Sequence, residues 1–277
     1  MVRLIAFFVG LAFVAALIVG ALAPREASAP DLVKKYHLHP SEVSFSFEGP
    51  FGTYDRAQLQ RGLKVFKEVC AACHGLKQVA FRSLTDLGYT EAQVKVIAKE
   101  WSNKTPSLDE KTGEAATRDA IPADKMIGPY ANEVAARAAN NNAYPPDLSL
   151  IAKGREEGSH YVHALIAGYG KKAPADWEVP EGLHYNPYFS NLNIAMPPPL
   201  VADDQVTYDD GTKATVNQMS TDVAAFLTWA AEPKLEVRHR TGLAVMIFLL
   251  MLTGLSYLSY RRVWADQKAK PSTTPAA

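Results

Sequence analysis

Cys70-Ala71-Ala72-Cys73-His74 decides how this 277-residue chain is read. C-x-x-C-H is the spacing at which two thiols bond the vinyl groups of a haem while the next residue ligates its iron. These are the chain's only two cysteines. C-x-x-C also occurs in redox or structural disulfides and in half of a zinc site. Neither accounts for His74: a tetrahedral zinc site needs a second ligand pair, and no further cysteine exists to supply it. A thioredoxin-like pair would follow a strand, whereas the residues before Cys70 have helical periodicity.

Working outward, Asp55 to Cys73 places Leu59, Leu63, Phe66 and Val69/Cys70 along one side at i, i+4, i+7 spacing, which predicts one helix delivering the motif at its end. Thr90-Glu91-Ala92-Gln93 has capping-box form and opens a helix to about Trp101. Helices are also expected over Tyr130–Asn140, Ser159–Gly168 and Thr215–Ala231, the last stopping before Pro233. No strand pattern of comparable strength and no internal repeat appear. The fold class is therefore mainly α with long irregular loops, notably Ser102–Lys125 and Lys171–Gly211, and loops of such length tend to be functional. In them Tyr185, Tyr188 and Phe189 are either packing for an apolar plate or ordinary core aromatics. A single C-x-x-C-H implies one haem.

The ends of the chain point to a membrane. Residues 1–29 read as a secretory signal: Arg3, a 20-residue uncharged run from Leu4 to Ala23, then Ala27-Ser28-Ala29 as a cleavage pattern. That run is long for a signal, so an uncleaved anchor is the alternative. Residues 242–260 (GLAVMIFLLMLTGLSYLSY) hold 19 residues without a charge, about 28 Å as a helix, and read as a transmembrane helix. Tyr257, Tyr260 and Trp264 form an aromatic belt at its far end. Cations flank both ends (Lys234, Arg238 and Arg240; Arg261, Arg262, Lys268 and Lys270), so charge alone orients it weakly. If the domain at 30–235 is exported, one crossing leaves the tail, residues 261–277, in the cytoplasm. The last residues, 271–277, read as disordered.

The whole chain is formally neutral, but residues 31–232 carry 26 acidic and 20 basic side chains, a net −6. That balance argues against nucleic acid and for a basic partner. Asp109, Glu110, Glu114, Asp203 and Asp204 are candidates for such a docking face; plain solubility explains the charge equally well.

An electron-transfer haem needs a second protein ligand to its iron, whereas an open site favours oxygen or peroxide chemistry. Met219 lies on an apolar helix stripe, Met246 and Met251 in the apolar span. Met196 sits in Asn193-Ile194-Ala195-Met196-Pro197-Pro198-Pro199, where three prolines stiffen the loop. Met126 has a thinner case, and His160, His163 and His184 stay open as alternatives.

Taken in order, C-A-A-C-H, Ala135-Ala136-Arg137-Ala138-Ala139-Asn140, Tyr144-Pro145-Pro146-Asp147-Leu148-Ser149, Gly182-Leu183-His184-Tyr185-Asn186-Pro187-Tyr188-Phe189, I-A-M-P-P, Asp209-Asp210-Gly211-Thr212 and Phe226-Leu227-Thr228-Trp229-Ala230-Ala231-Glu232-Pro233 before a C-terminal anchor resemble the cytochrome c1 family. That family supplies the haem c subunit of the quinol:cytochrome c oxidoreductase. The resemblance covers essentially the whole mature chain, and the F-L-x-W-A-A-E-P run is its most specific part. It implies one covalently bound haem c on Cys70 and Cys73, iron ligation by His74 and Met196, and a class I cytochrome c-like domain with one C-terminal transmembrane helix. It implies that Arg137 pairs with a haem propionate and that Pro145 and Pro146 pack near His74. It also implies a carrier rather than an enzyme in its own right. Electrons would come from the Rieske iron–sulfur subunit beside cytochrome b and go to a c-type cytochrome, on the periplasmic side of a bacterial inner membrane. Some bacterial members carry a further cysteine pair before the ligand methionine; this chain does not, so that loop must be held by packing. A membrane-tethered haem peroxidase and a free-standing shuttle cytochrome are the rival functions.

Overall fold

A computed structural model describes residues 2–22 and 32–269, in two units, Met1–Tyr36 and His37–Ala277. The first unit holds helix α1 (Val2–Leu22) and the short α2 (Leu32–Tyr36). Ala27-Ser28-Ala29 and the tail 271–277, where cleavage and disorder are expected, lie outside the described residues.

The second unit begins with an extended strap and then α3 (Arg56–Glu68), whose cap is Asp55: its carboxylate accepts from the N–H groups of Ala57 and Gln58. α3 is shorter than the periodicity implies. The chain leaves the helix at Val69 and makes a 3₁₀ turn over Cys70–Ala72, with the N–H groups of Cys73 and His74 both donating to the Cys70 carbonyl at 3.1 and 2.9 Å. Next come β1 (Leu76–Ala80), α4 (Glu91–Lys99), β2 (Thr105–Leu108), β3 (Ala115–Arg118) and β4 (Lys125–Met126). α5 (Glu133–Ala139), α6 (Ile151–Gly154), α7 (Gly158–Ala167), β5 (His184–Tyr185), β6 (Asn193–Ile194), α8 (Val216–Ala231) and α9 (Leu235–Ala269) complete it. Thr90 and Gln93 close the expected capping box on α4, and Thr215 caps α8.

Helix accounts for close to half of the chain, and the strands, two to five residues each, are elements for which the sequence shows no strong pattern. They form three antiparallel pairs, β1 with β4, β2 with β3 and β5 with β6. Two of these lie within the long loops: β2–β3 makes a hairpin of 102–125, and β5–β6 brings the two ends of 184–194 together.

The core sits where α3 crosses α8. Gly62 makes the crossing possible, because a methyl there would overlap the Asp222 carbonyl and lie 2.6 Å from Phe226 Cβ. Phe66 packs against Phe226 (ring centroids 5.7 Å apart) and Trp101 (6.3 Å), and Phe226 stacks on Trp229 (5.7 Å). Beside the crossing, Arg61 grips the buried Asp222 through Nε (2.9 Å) and Nη2 (3.2 Å) and reaches Asp210 with Nη1 (2.7 Å).

α9 is longer than the 242–260 span and starts two residues after Pro233, with no linker. The junction of α8 and α9 is tied to residues 54–56: Tyr54 N–H donates to Glu236 Oε1 (2.8 Å), Arg56 Nη2 to Glu236 Oε2 (2.9 Å) and Tyr54 O–H to the Glu232 carbonyl at the end of α8 (3.0 Å). By length and composition, α1 and α9 can each cross a membrane.

Candidate haem site

His74 is placed by the turn that ends α3, and a second segment, 145–149, runs beside it. The His74 Nδ1 lies 2.7 Å from the Pro146 carbonyl oxygen. Leu148 N–H donates to the Gly75 carbonyl (2.9 Å), Lys77 N–H to Asp147 Oδ2 (2.8 Å) and Gln78 N–H to Ser149 Oγ (3.0 Å). A carbonyl can only accept, so Nδ1 carries the proton and Nε2 keeps a lone pair facing away from the strap. Burial holds the imidazole below its ordinary pKa, against the opposing pulls of the Pro146 carbonyl and Asp147. A neutral imidazole with one free nitrogen is the form that ligates a metal.

A third segment closes against the motif. Gly75 and Gly128 touch backbone to backbone: a methyl on Gly75 would overlap the Gly128 nitrogen. Asn103 Nδ2 bridges the Ala71 carbonyl (3.0 Å) and the Ile127 carbonyl (3.2 Å), tying the C-x-x-C turn to that segment. Between these pieces lies a hollow of about 130 Å³ whose walls include Cys73, Gly128, Tyr130, Tyr144 and Pro145. It is smaller than an enclosing ligand pocket of about 300–1,000 Å³. A larger hollow, about 330 Å³, lies along α3 with Leu63, Asp209 and Asp210 among its walls, and includes none of the candidate haem-binding residues.

The cysteines are free thiols. Burial, with Cys73 beside it, pushes the Cys70 thiol up to about 12, the reverse of the lowered pKa of a reactive C-x-x-C pair. Among the described residues no group of three His, Cys, Asp or Glu side chains could hold a metal ion, which opposes the zinc alternative. Two thiols and one imidazole with a free nitrogen, on a turn that paired glycines lock against a third segment, fit covalent haem attachment.

The other sequence candidates fall in different places. Met126 is fully buried in the core and Met219 likewise, whereas Met196 is half-buried on its loop and its carbonyl accepts from Tyr169 O–H at 2.8 Å. Arg137, on α5, gives Nε and Nη2 to Glu133 (2.8 and 2.7 Å) and Nη1 to the Asn142 carbonyl (2.9 Å). Among the described residues no hydrogen bond or ion pair joins Met196 or Arg137 to His74; Pro146 does make one. The histidine alternatives are engaged elsewhere: His160 between Glu48 and Val43, His163 with Asn217, His184 in β5 edge-on to Tyr169. The acidic candidates are exposed, and two have local duties: Asp109 holds the β2–β3 turn through the N–H groups of Lys111 and Thr112, and Asp203 accepts from Val216 N–H at the start of α8.

Comparison with known proteins places this geometry. The sequence profile of the cytochrome C1 family matches residues 45–267. The chain belongs to the cytochrome c1 family. It is 44% identical over 246 residues to "Cytochrome c1" of Rhodospirillum rubrum, covering 83% of this chain and 89% of that protein. It is 47% identical over 248 residues to "Cytochrome b/c1" of Bradyrhizobium diazoefficiens, covering 82% of this chain but 36% of that longer protein. A third relative, "Cytochrome b-c1 complex catalytic subunit, mitochondrial" of Candida albicans, is 44% identical over 234 residues, covering 84% of this chain and 80% of that protein. Cytochrome c1 proteins are haem proteins of electron transport, and the name of the Candida albicans relative places that protein in the bc1 complex. The structure adds contacts that sequence reading passed over: Asn103, Tyr169 and the Gly75–Gly128 approach. Each meets backbone atoms far along the chain and leaves no local pattern to read.

Proposed function

We propose that this chain carries one haem c, joined through Cys70 and Cys73, with iron between His74 and Met196. In this reading it passes single electrons from the Rieske iron–sulfur subunit to a c-type cytochrome, as the electron-carrying subunit of a quinol:cytochrome c oxidoreductase that also contains cytochrome b. The observation that carries it is the 2.7 Å contact between His74 Nδ1 and the Pro146 carbonyl directly after C-x-x-C, which fixes the tautomer a haem ligand needs. Bound there, the group supplies one-electron oxidation and reduction at iron. The chain orients His74 through the 145–149 strap, keeps its imidazole neutral by burial, and presents Met196 on a proline-stiffened loop. Met126 and Met219 are spent in the core, which supports Met196. Arg137 has to release Glu133 to meet a propionate; both side chains are half-exposed, so the exchange costs little.

The same reading makes the α3–α8 crossing the centre of a class I cytochrome c-like domain over 30–235, with 1–29 as signal and 261–277 as a cytoplasmic tail. Residues 242–260, within α9, form the single transmembrane helix that holds the domain on the periplasmic side of the inner membrane. The absence of a linker before α9 suits a subunit fixed in a complex and leaves a shuttle little reach. Purification in mild detergent through a tag on this chain tests the proposal. Co-purifying b-type haem and quinol-dependent reduction of haem c are expected; a lone haem c without companions, or a reduced protein that binds carbon monoxide, overturns it.

A further inference from the structure

We infer that Phe51 is a lipid-facing anchor that seats the base of the haem domain in the headgroup layer of the bilayer. The inference rests on the reading of α9 as the membrane span. Phe51 is 73% exposed on the tight turn between Phe47 and Tyr54. That turn is rigid: Phe47 stacks on Phe45 (5.0 Å) and packs on Tyr54 (5.3 Å), both buried, and a methyl on Gly52 would overlap the Phe47 backbone. The turn is therefore held in place by its buried neighbours, and it presents a large apolar side chain on the outside.

Its level relative to the bilayer follows from what the turn grips. The Gly52 carbonyl lies 3.1 Å from His239 Nδ1 on α9, and Glu236, one turn earlier, takes Tyr54 and Arg56. His239 precedes Gly242, the first residue of the uncharged run, by three residues, about 4.5 Å of helix rise. A headgroup layer is about 5–7 Å deep on each side of the hydrocarbon. The residue next to Gly52 is thus level with that layer, close on α9 to Arg240, whose cation suits lipid phosphates, and to Arg238, whose Nε is taken by Glu232 (2.6 Å). The partner that fits an exposed phenyl at this depth, continuous with the start of the span, is the lipid surface.

The test uses the full-length, haem-loaded chain in phospholipid vesicles, with a nitroxide attached to Phe51→Cys, to Leu250→Cys in the apolar run, and to Val134→Cys on exposed α5. Haem-bound cysteines take no label, and the unsubstituted chain checks this. Collision with dissolved oxygen relative to a water-soluble nickel chelate is read for each label. The expected result is a ratio at position 51 raised severalfold over position 134 and below that at 250. If 250 reports lipid while 51 matches 134, the anchor is overturned and the span stands. A label at 51 that is shielded from both colliders marks a protein contact and also overturns it. If 250 itself reports water, the reading of α9 falls first.

Discussion

The Nδ1 of His74 sits 2.7 Å from the carbonyl oxygen of Pro146, 72 residues further along the chain. Three segments meet around this contact: Gly75 lies against Gly128, Leu148 N–H donates to the Gly75 carbonyl, and Asn103 Nδ2 joins the carbonyls of Ala71 and Ile127. The orientation of one ring therefore depends on how closely those segments approach, which the two glycines permit.

Gly75→Ala is expected to break that meeting. Its methyl overlaps the Gly128 nitrogen and lies 3.0 Å from Ile127 C, whereas a methyl on Gly128 lies 3.2 Å from the Gly75 nitrogen. Overpacking of this kind costs about 1–3 kcal/mol. Haem content per chain, read by haem stain against protein, should fall steeply for Gly75→Ala and modestly for Gly128→Ala. Equal content in both variants would mean that the two segments can part freely.

The C-x-x-C-H motif is a local pattern in Cys70, Cys73 and His74, whereas the place of Pro146 beside His74 is expected only from the family resemblance. The helix starts were legible, like the motif, as local patterns: Asp55, Thr90 and Thr215 each cap within three residues. The end of α3 was not, because apolar periodicity runs on through Val69 and Cys70 while the backbone tightens onto the Cys70 carbonyl. β4, β5 and β6 are two residues each, too short to show alternation. Arg61 and Asp222 are 161 residues apart, and no spacing announces such a pair.

Arg61→Ala should destabilise the domain more than its surface position on α3 implies. Asp222 is fully buried, and Gln218 Nε2 at 2.8 Å is its other side-chain donor. Removing one partner of a buried pair costs about 3–5 kcal/mol, while replacing both by apolar residues is often close to neutral. Urea denaturation should place Arg61→Ala well below Arg61→Leu/Asp222→Leu. A double variant no better than the single one would show that the pair is not the source of the loss.

Stability should also fall in mild acid through His163. It is buried, with Nε2 3.0 Å from Asn217 Oδ1 and Nδ1 without a partner. Burial lowers its pKa below the ordinary 6.5, Asn217 pulls the other way, and His160 adds to the lowering. The unfolded chain then binds more protons in the window below 6.5, so stability is full above that pH and is lost as pH falls towards the folded value. The urea midpoint of the haem-loaded protein is expected to drop between about pH 7.5 and about pH 5.5, and His163→Gln should reduce that drop. An unchanged slope in the variant would assign the acid sensitivity to other groups.

Tyr169 is the residue through which the loop of Met196 is held to the helical body. Its hydroxyl, on the turn after α7, donates to the Met196 carbonyl at 2.8 Å, and burial pushes the phenol well above its usual range, so it stays a donor. The loop behind it is braced by Asn186, fully buried, whose Nδ2 donates to the Leu165 carbonyl (2.7 Å) and whose Oδ1 accepts from Tyr188 N–H (3.1 Å). Tyr169→Phe keeps the ring and removes only the donor, at a cost of about 1–3 kcal/mol for a carbonyl left unpaired. A thioether is a weak ligand, so a loop loosened by that amount should let the sulfur leave the iron for part of the time. The expected signature is a lower midpoint potential, a weakened sulfur-to-iron charge-transfer band in the oxidised protein, and carbon monoxide binding in the reduced one, with Met126→Leu showing none of these. If Tyr169→Phe leaves all three unchanged while Met196→Ala changes them, the prolines alone hold the loop. If Met126→Leu is the variant that changes them, Met196 is not the ligand, and the core position of Met126 has to yield to reach the iron.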